Sequence, residues 1–185
     1  MALKSTIFKI ELQLADLDRN RYQTHSLTLA RHPSETDERM MVRLIAFALH
    51  ADPALEFGKG LSADDEPDLW RKDLTGTIEQ WIEIGLPDEK RLRKARGRAA
   101  EVCVVSYGGR AADLWWEQGQ PALRKLDKLS VINLPGDQTK SLASHAVRTM
   151  SINCTIQEGD LLLVMGEETF HLVPEYRLRP SGSRR

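Results

Sequence analysis

Asp68 and Glu83 are the residues with the clearest chemical potential, because a short hairpin between them would set two carboxylates side by side. DLWRK (68–72) and TIEQWIEIG (77–85) both read as extended, and Thr75-Gly76 lies between them as a turn. A symmetric loop places Asp68 opposite Glu83, Trp70 opposite Trp81 and Lys72 opposite Glu79. Strand side chains alternate between faces, so these six share one face, while Ile78, Ile82 and Ile84 point the other way into the core. Any symmetric loop keeps this register, and a one-residue bulge destroys it. Cross-strand neighbours have Cβ atoms about 4.5–5.5 Å apart, so two bare carboxylates there would repel. A hard divalent cation, Mg2+ or Mn2+, removes the repulsion, since such ions are commonly held by one or two carboxylates and several waters. It would polarise a phosphoryl oxygen and acidify a bound water, and a nearby lysine would stabilise developing negative charge. As ordinary surface acids, the same two residues would instead pair with Lys72 or Arg91.

Other candidates surround this pair. Arg91, Lys94 and Arg98 follow at i, i+3 and i+7, a basic stripe suited to phosphate contact or to a solvated helix face. Trp70 and Trp81 fit base stacking or simple hairpin packing. Cys103 and Cys154 sit in apolar alternating segments, as buried free thiols do, and neither has a second cysteine nearby for zinc or redox work. The histidines show no ligand spacing. The 185 residues carry 26 basic and 27 acidic side chains, a formal net charge of -1. That balance argues against a high-affinity nonspecific nucleic-acid binder, so any such contact needs a local patch.

The elements that must hold these residues read as α/β. Hydrophobic residues at 41% and charged residues at 29% place the chain among ordinary globular proteins, most simply as one domain over 1–185 with a flexible basic tail at about 179–185. Residues 5–14 alternate and 26–29 return, making an N-terminal hairpin. A helix is expected from Ser34, with Met40, Met41, Leu44, Ile45, Ala48 and Leu49 on a broad apolar face. Pro87-Asp88-Glu89 starts another, with Leu92, Ala95 and Ala99 as its stripe. EVCVVSY is a strand buried on both faces, which predicts a parallel crossover from TIEQWIEIG. A helix around Ala111–Gln118, a strand at Leu129–Leu134 and a helix after Pro135-Gly136 follow. Met150–Ile156 and Leu161–Met165 form a C-terminal hairpin through Glu158-Gly159, and Phe170–Val173 adds a third strand. The N-terminus lacks the apolar run of a signal peptide and no stretch is long enough for a bilayer, so a cytoplasmic location with no membrane partner is expected.

The strings DDEPDLWRKDLTGT, WIEIGLPDEKRLRKA and ARHPSETDERMMVRL are long and idiosyncratic, and through them the chain resembles the YaeQ family over essentially its whole length. The resemblance implies a variation on the PD-(D/E)xK nuclease fold: a mixed central β-sheet flanked by helices, with an acidic site on a hairpin. Pro67-Asp68 matches the PD step and Glu83 the acid of the next strand. Gly85 stands where the pattern wants lysine, and taking Glu79 as the acid puts Trp81 there instead. In some nucleases of this fold the lysine comes from the following helix, which here offers Lys90 and Lys94. Lys94 is the choice, and Lys72 is a further candidate from the hairpin geometry. Glu38 on the first helix either reaches such a site or is a surface charge. The implied function is a magnesium- or manganese-dependent nuclease or phosphodiesterase, with Asp68 and Glu83 on the metal, Lys94 as electrostatic partner, and Arg91 and Arg98 on nucleic acid. The alternative is a non-catalytic nucleic-acid- or protein-binding regulatory module, in keeping with the family's traditional link to transcription elongation and haemolysin expression.

Overall fold

The computed structural model describes residues 4–180. In chain order its elements are β1 (Thr6–Asp16), β2 (Arg21–Arg31), α1 (Asp37–His50), β3 (Leu55–Phe57), β4 (Leu69–Lys72) and β5 (Ile78–Ile84). There follow α2 (Glu89–Arg96), β6 (Ala99–Ser106), α3 (Arg110–Leu123), β7 (Leu129–Asn133) and α4 (Gly136–Ala143). The chain closes with β8 (Thr149–Gln157), β9 (Asp160–Met165), β10 (Glu168–Leu172) and β11 (Glu175–Leu178). It is a mixed α/β protein, but the one central sheet expected from the sequence is two sheets. These belong to two compact units, Met1–Leu49 with Pro135–Pro174, and His50–Leu134 with Glu175–Arg185. The reason lies in the strands themselves. The hairpin strands alternate and can cover only one apolar face, whereas Val102–Val105 of β6 is buried throughout. Strands of the first kind suit a sheet with one solvated side, and strands of the second kind suit a sheet covered on both.

In the first unit the strand order is β10-β9-β8-β1-β2, so the N- and C-terminal hairpins join through a parallel β1–β8 pairing. The buried apolar side chains of β1 are Phe8, Ile10, Leu12 and Leu14, and those of β8 are Met150, Ile152, Cys154 and Ile156. Glu158 and Gly159 both have positive φ, the conformation of a two-residue type I′ turn. Their amides donate to the Asp18 carboxylate at 2.8 and 2.9 Å, which ties the turns of the two hairpins together. α1 begins at Asp37, three residues later than the Ser34 expected. Residues 32–35 first close a turn (Glu35 N–H to His32 carbonyl, 2.8 Å), and the Thr36 hydroxyl then accepts the Arg39 amide at 3.1 Å as the cap.

The second unit has the order β11-β7-β6-β5-β4-β3, with β5–β6 and β6–β7 parallel and joined by α2 and α3. The short edge strands β3 and β11 were not legible in the sequence. β4 and β5 pair as expected at Leu69–Ile82, Trp70–Trp81 and Arg71–Gln80, and then the register slips so that Lys72 faces Ile78, not Glu79. Asp73 causes the slip. Its side chain accepts the amides of Thr75 and Thr77 at 2.8 and 2.9 Å, and its own amide donates to the Thr77 carbonyl. The loop therefore closes at Asp73 and Thr77, leaving one surplus residue on β5. Ile78 packs on the Trp81 side of the sheet, against the expectation that it faces with Ile82 and Ile84. Glu79 turns to Arg71, at 3.0 Å.

Leu12 is fully buried at the middle of β1, and Glu11 beside it faces solvent. Leu12→Ala should therefore cost about 2–5 kcal/mol in urea unfolding, while Glu11→Ala should stay within about 0.5 kcal/mol of wild type. Equal effects would contradict the one-sided burial of this strand.

Candidate acidic site

Asp68 sits immediately before β4 with its backbone fixed on both sides. Its amide donates to the Ile82 carbonyl at 3.1 Å, and its carbonyl accepts the Gly58 amide at 2.9 Å. Gly58 is obligatory at this approach, since a Cβ there would lie 2.1 Å from the Pro67 carbonyl oxygen. The Asp68 side chain accepts the Ile84 amide through Oδ2 at 2.8 Å. Across the hairpin, Glu83 Oε1 accepts the Trp81 indole N–H at 2.6 Å and meets Arg91 Nε at 2.9 Å. Asp68 and Glu83 are only 2% and 3% exposed, so they are buried and not surface acids, although Glu83 does make the Arg91 pairing of the plainer expectation. Burial pushes the Glu83 carboxyl above its usual range, the Arg91 and Trp81 contacts oppose that rise, and the Asp68 charge adds to it.

Gly85 has φ +103°, which explains why no lysine stands two residues after the acid. Space is not the obstacle, because nothing lies within 4 Å of a Cβ there; the backbone conformation is. A cation arrives from α2 instead. Asp88 caps that helix by accepting the Arg91 amide at 2.7 Å. A side chain so close to the helix start leans back toward the N-terminus, here toward the end of β5. With Nε on Glu83, Arg91 also donates from Nη1 to the Asp64 carbonyl and from Nη2 to the Glu66 carbonyl, both at 3.1 Å. Its position at the first turn after the β5 strand was the available sequence signal for this contact; nothing in the sequence pointed to the Trp81 and Ile84 bonds.

The other candidates lie elsewhere. Lys94 pairs with Asp65 at 2.5 Å, Lys72 stands over the Trp70 ring at 3.5 Å, and Lys90 is exposed. Glu79 is on Arg71, away from the acid pair. Arg98 lies over the Trp81 ring at 5.1 Å and donates to the Asp65 carbonyl at 2.8 Å. Trp70 and Trp81 meet edge to face, 6.2 Å between centroids. Trp81 is 2% exposed and packs the core, so it offers no open stacking surface. Glu38, in the first unit, accepts the Thr139 hydroxyl at 2.7 Å. Burial pushes the thiols of Cys103 and Cys154 up to about 12, which makes them packing groups at neutral pH.

Among the described residues no group of three or more His, Cys, Asp or Glu side chains is placed to hold a metal. A closed zinc-type centre is therefore a poor fit. Asp68 and Glu83 are both buried carboxylates, Arg91 meets Glu83, and burial raises the Glu83 proton affinity. That all-oxygen donor set fits a hard divalent ion completed by water.

No helix of the described residues is long and apolar enough to cross a membrane. Residues 1–174 match the family model described as YaeQ protein. The chain is 51% identical over 164 residues to the uncharacterized protein YaeQ of Escherichia coli (strain K12), covering 88% of this chain and 90% of that one. The same figures hold for the Salmonella typhi protein of that name. The crystal structure of YaeQ protein from Xanthomonas axonopodis pv. citri superposes with a TM-score of 0.92 at 48% identity, over 95% of this chain and 99% of that chain. The YaeQ structure from Pseudomonas syringae gives 0.91 at 36% identity, over 96% and 98%. On sequence and on fold alike, this chain belongs to the YaeQ family.

Proposed function

We propose that the protein is a magnesium- or manganese-dependent phosphodiesterase of the nuclease type, with Asp68 and Glu83 as metal ligands and Arg91 as the cation beside them. The observation that carries this is the pair of buried acids, Asp68 and Glu83, at one end of the β4–β5 hairpin, with Arg91 on Glu83. The strand–strand–strand–helix–strand run from β3 to β6, with one acid opening a strand and the other near the end of its neighbour, supports a PD-(D/E)xK-type arrangement. A divalent ion bound there would polarise a phosphoryl oxygen and lower the pKa of a water. The protein's own groups do the rest. The Ile84 amide and the Trp81 indole N–H orient the two carboxylates, and burial keeps bulk water off both. Arg91 sets its positive charge where a pentavalent phosphorus would gather negative charge, which is the task of the lysine that Gly85 excludes. Lys94 of α2 and Arg98, two residues past its end, would contact substrate phosphates beyond the scissile one.

A binding module without turnover is the second reading, favoured by Arg91 already lying on Glu83 in place of a free lysine. Calorimetric titration of Mn2+ and Mg2+ separates the two. Wild type should bind with micromolar to millimolar affinity and Glu83→Gln should lose at least tenfold. The metal-loaded protein should then cleave at least one of single-stranded, duplex and structured DNA or RNA. Intact substrates with metal bound would leave the binding module, and identical isotherms for the two proteins would remove Glu83 from the metal altogether.

The pH dependence has a definite sign. Metal requires the ionised carboxylate, and the raised Glu83 pKa delays ionisation, so Mn2+ affinity should climb with pH above the ordinary carboxylate range and then level off. Arg91 favours the ionised form. Arg91→Ala should therefore move the rise to higher pH, read from titrations at a series of pH values. A shift to lower pH would contradict the Arg91–Glu83 contact.

A further inference from the structure

The basic stripe of the second unit is already occupied by the protein's own chain. Asp64, Asp65 and Glu66 precede Asp68 and run across the side of α2, where each of the three cations takes hold of them. Arg91 donates to the Asp64 and Glu66 carbonyls at 3.1 Å, and Arg98 to the Asp65 carbonyl at 2.8 Å. Lys94 pairs with the Asp65 carboxylate at 2.5 Å. The far end of the segment is fastened by Glu66, which accepts the Lys59 amide at 3.1 Å. Of the other basic side chains of the helix, Arg93 pairs with Glu89, Arg96 with Asp127, and Lys90 is exposed. One acidic strand of polypeptide thus presents a carboxylate and three carbonyl oxygens to the same groups that would receive phosphates.

We propose that Asp64–Glu66 is a displaceable strap standing in for a nucleic-acid backbone, and that a single-stranded nucleic acid takes its place on Arg91, Lys94 and Arg98. The choice of ligand rests on the phosphodiesterase reading; the geometry of the strap does not. The strap is held by side chains that are exposed or, like Arg91 at 30%, half-buried. Asp65 is 77% exposed and Lys94 54%, and exposed ion pairs contribute little and weaken with salt. A polyphosphate chain offers stronger acceptors to the same donors and gains further from released counterions. A single strand fits better than a duplex because the donors converge on one short turn and bend of chain, Asp64–Glu66, not on a broad surface. Arg91 gives displacement a consequence, since the same guanidinium holds both the strap and Glu83. When the strap leaves, two of its N–H groups become available to a phosphate beside the acid pair.

The test is fluorescence anisotropy of a labelled oligothymidylate in low salt with EDTA, so that neither metal binding nor turnover enters. Asp65→Asn should tighten binding about three- to tenfold over wild type, and Lys94→Ala should weaken it. Asp127→Asn makes the same change of charge on the Arg96 partner and should leave affinity unaltered. Amide hydrogen exchange at 59–66 should speed up on adding oligonucleotide. If Asp65→Asn and Asp127→Asn tighten equally, only net charge is being read, and the strap is overturned. Undetectable binding by both wild type and Asp65→Asn, or exchange that slows at 59–66, would overturn it as well. A duplex of the same length binding as tightly would overturn the single-strand assignment. Cleavage can fail for want of a metal site without touching any of these outcomes.

Discussion

The second unit is organised around the burial of two carboxylates. An isolated ionised group taken from water costs far more than a folded domain can spare, so its partners must be present before the site can exist. Asp68 is met by the Ile84 amide, and Glu83 by an indole N–H and a guanidinium. Each partner fixes a piece of architecture. The amide requires β4 and β5 to be in register at this end, the indole keeps Trp81 and Glu83 on one face, and the guanidinium requires α2 to start just after β5. Even with all of them in place, Glu83 holds its proton more tightly than a free carboxyl. Desolvation is the first cause of that rise, and a cation bound beside the pair would offset it.

The register at the acid pair was legible in the sequence because it depends on side-chain alternation, and alternation is local. DLWRK and QWIEI each declare two faces, and only one pairing puts both apolar faces together. The far end of the same hairpin was not legible, since it depends on which residue the Asp73 carboxylate captures. Asp73 could cap a turn centred on Thr75-Gly76 or close a longer loop at Thr77, and only the folded chain shows the second. The three-residue error at α1 has the same origin, with Ser34 and Thr36 both able to cap. The division into two sheets was written in the contrast between alternating hairpins and the uniformly apolar EVCVVSY, but that contrast does not reveal which hairpin edges meet. β3 and β11 are too short for periodicity to register at all.

Gly85 shows how a local backbone requirement can relocate a functional group. The chain must leave β5 with positive φ, which a lysine would resist. The cation is supplied from the next element, and there arginine serves where lysine would not. A guanidinium has donors in a rigid fork, so Arg91 can hold Glu83 through Nε while both Nη atoms hold backbone carbonyls. An ammonium is a compact point charge on a flexible stem and would have to choose among those acceptors. The candidate lysines of the same region are each engaged or turned outward, Lys94 by Asp65, Lys72 by Trp70 and Lys90 by solvent.

The consequence is that acid pair and strap share one residue and cannot be independent. Asp64, Glu66 and Asp68 lie within five positions of the chain, and Arg91 touches the first two by their carbonyls and the third's partner by its carboxylate. Whatever draws the guanidinium toward an anion outside the strap loosens its hold on 64–66, and whatever draws it from Glu83 raises that carboxyl's proton affinity further. Arg91 is therefore the point at which occupancy of the basic stripe and the charge state of the acid pair meet. Proximity alone would not couple them; three donors on one rigid plane do.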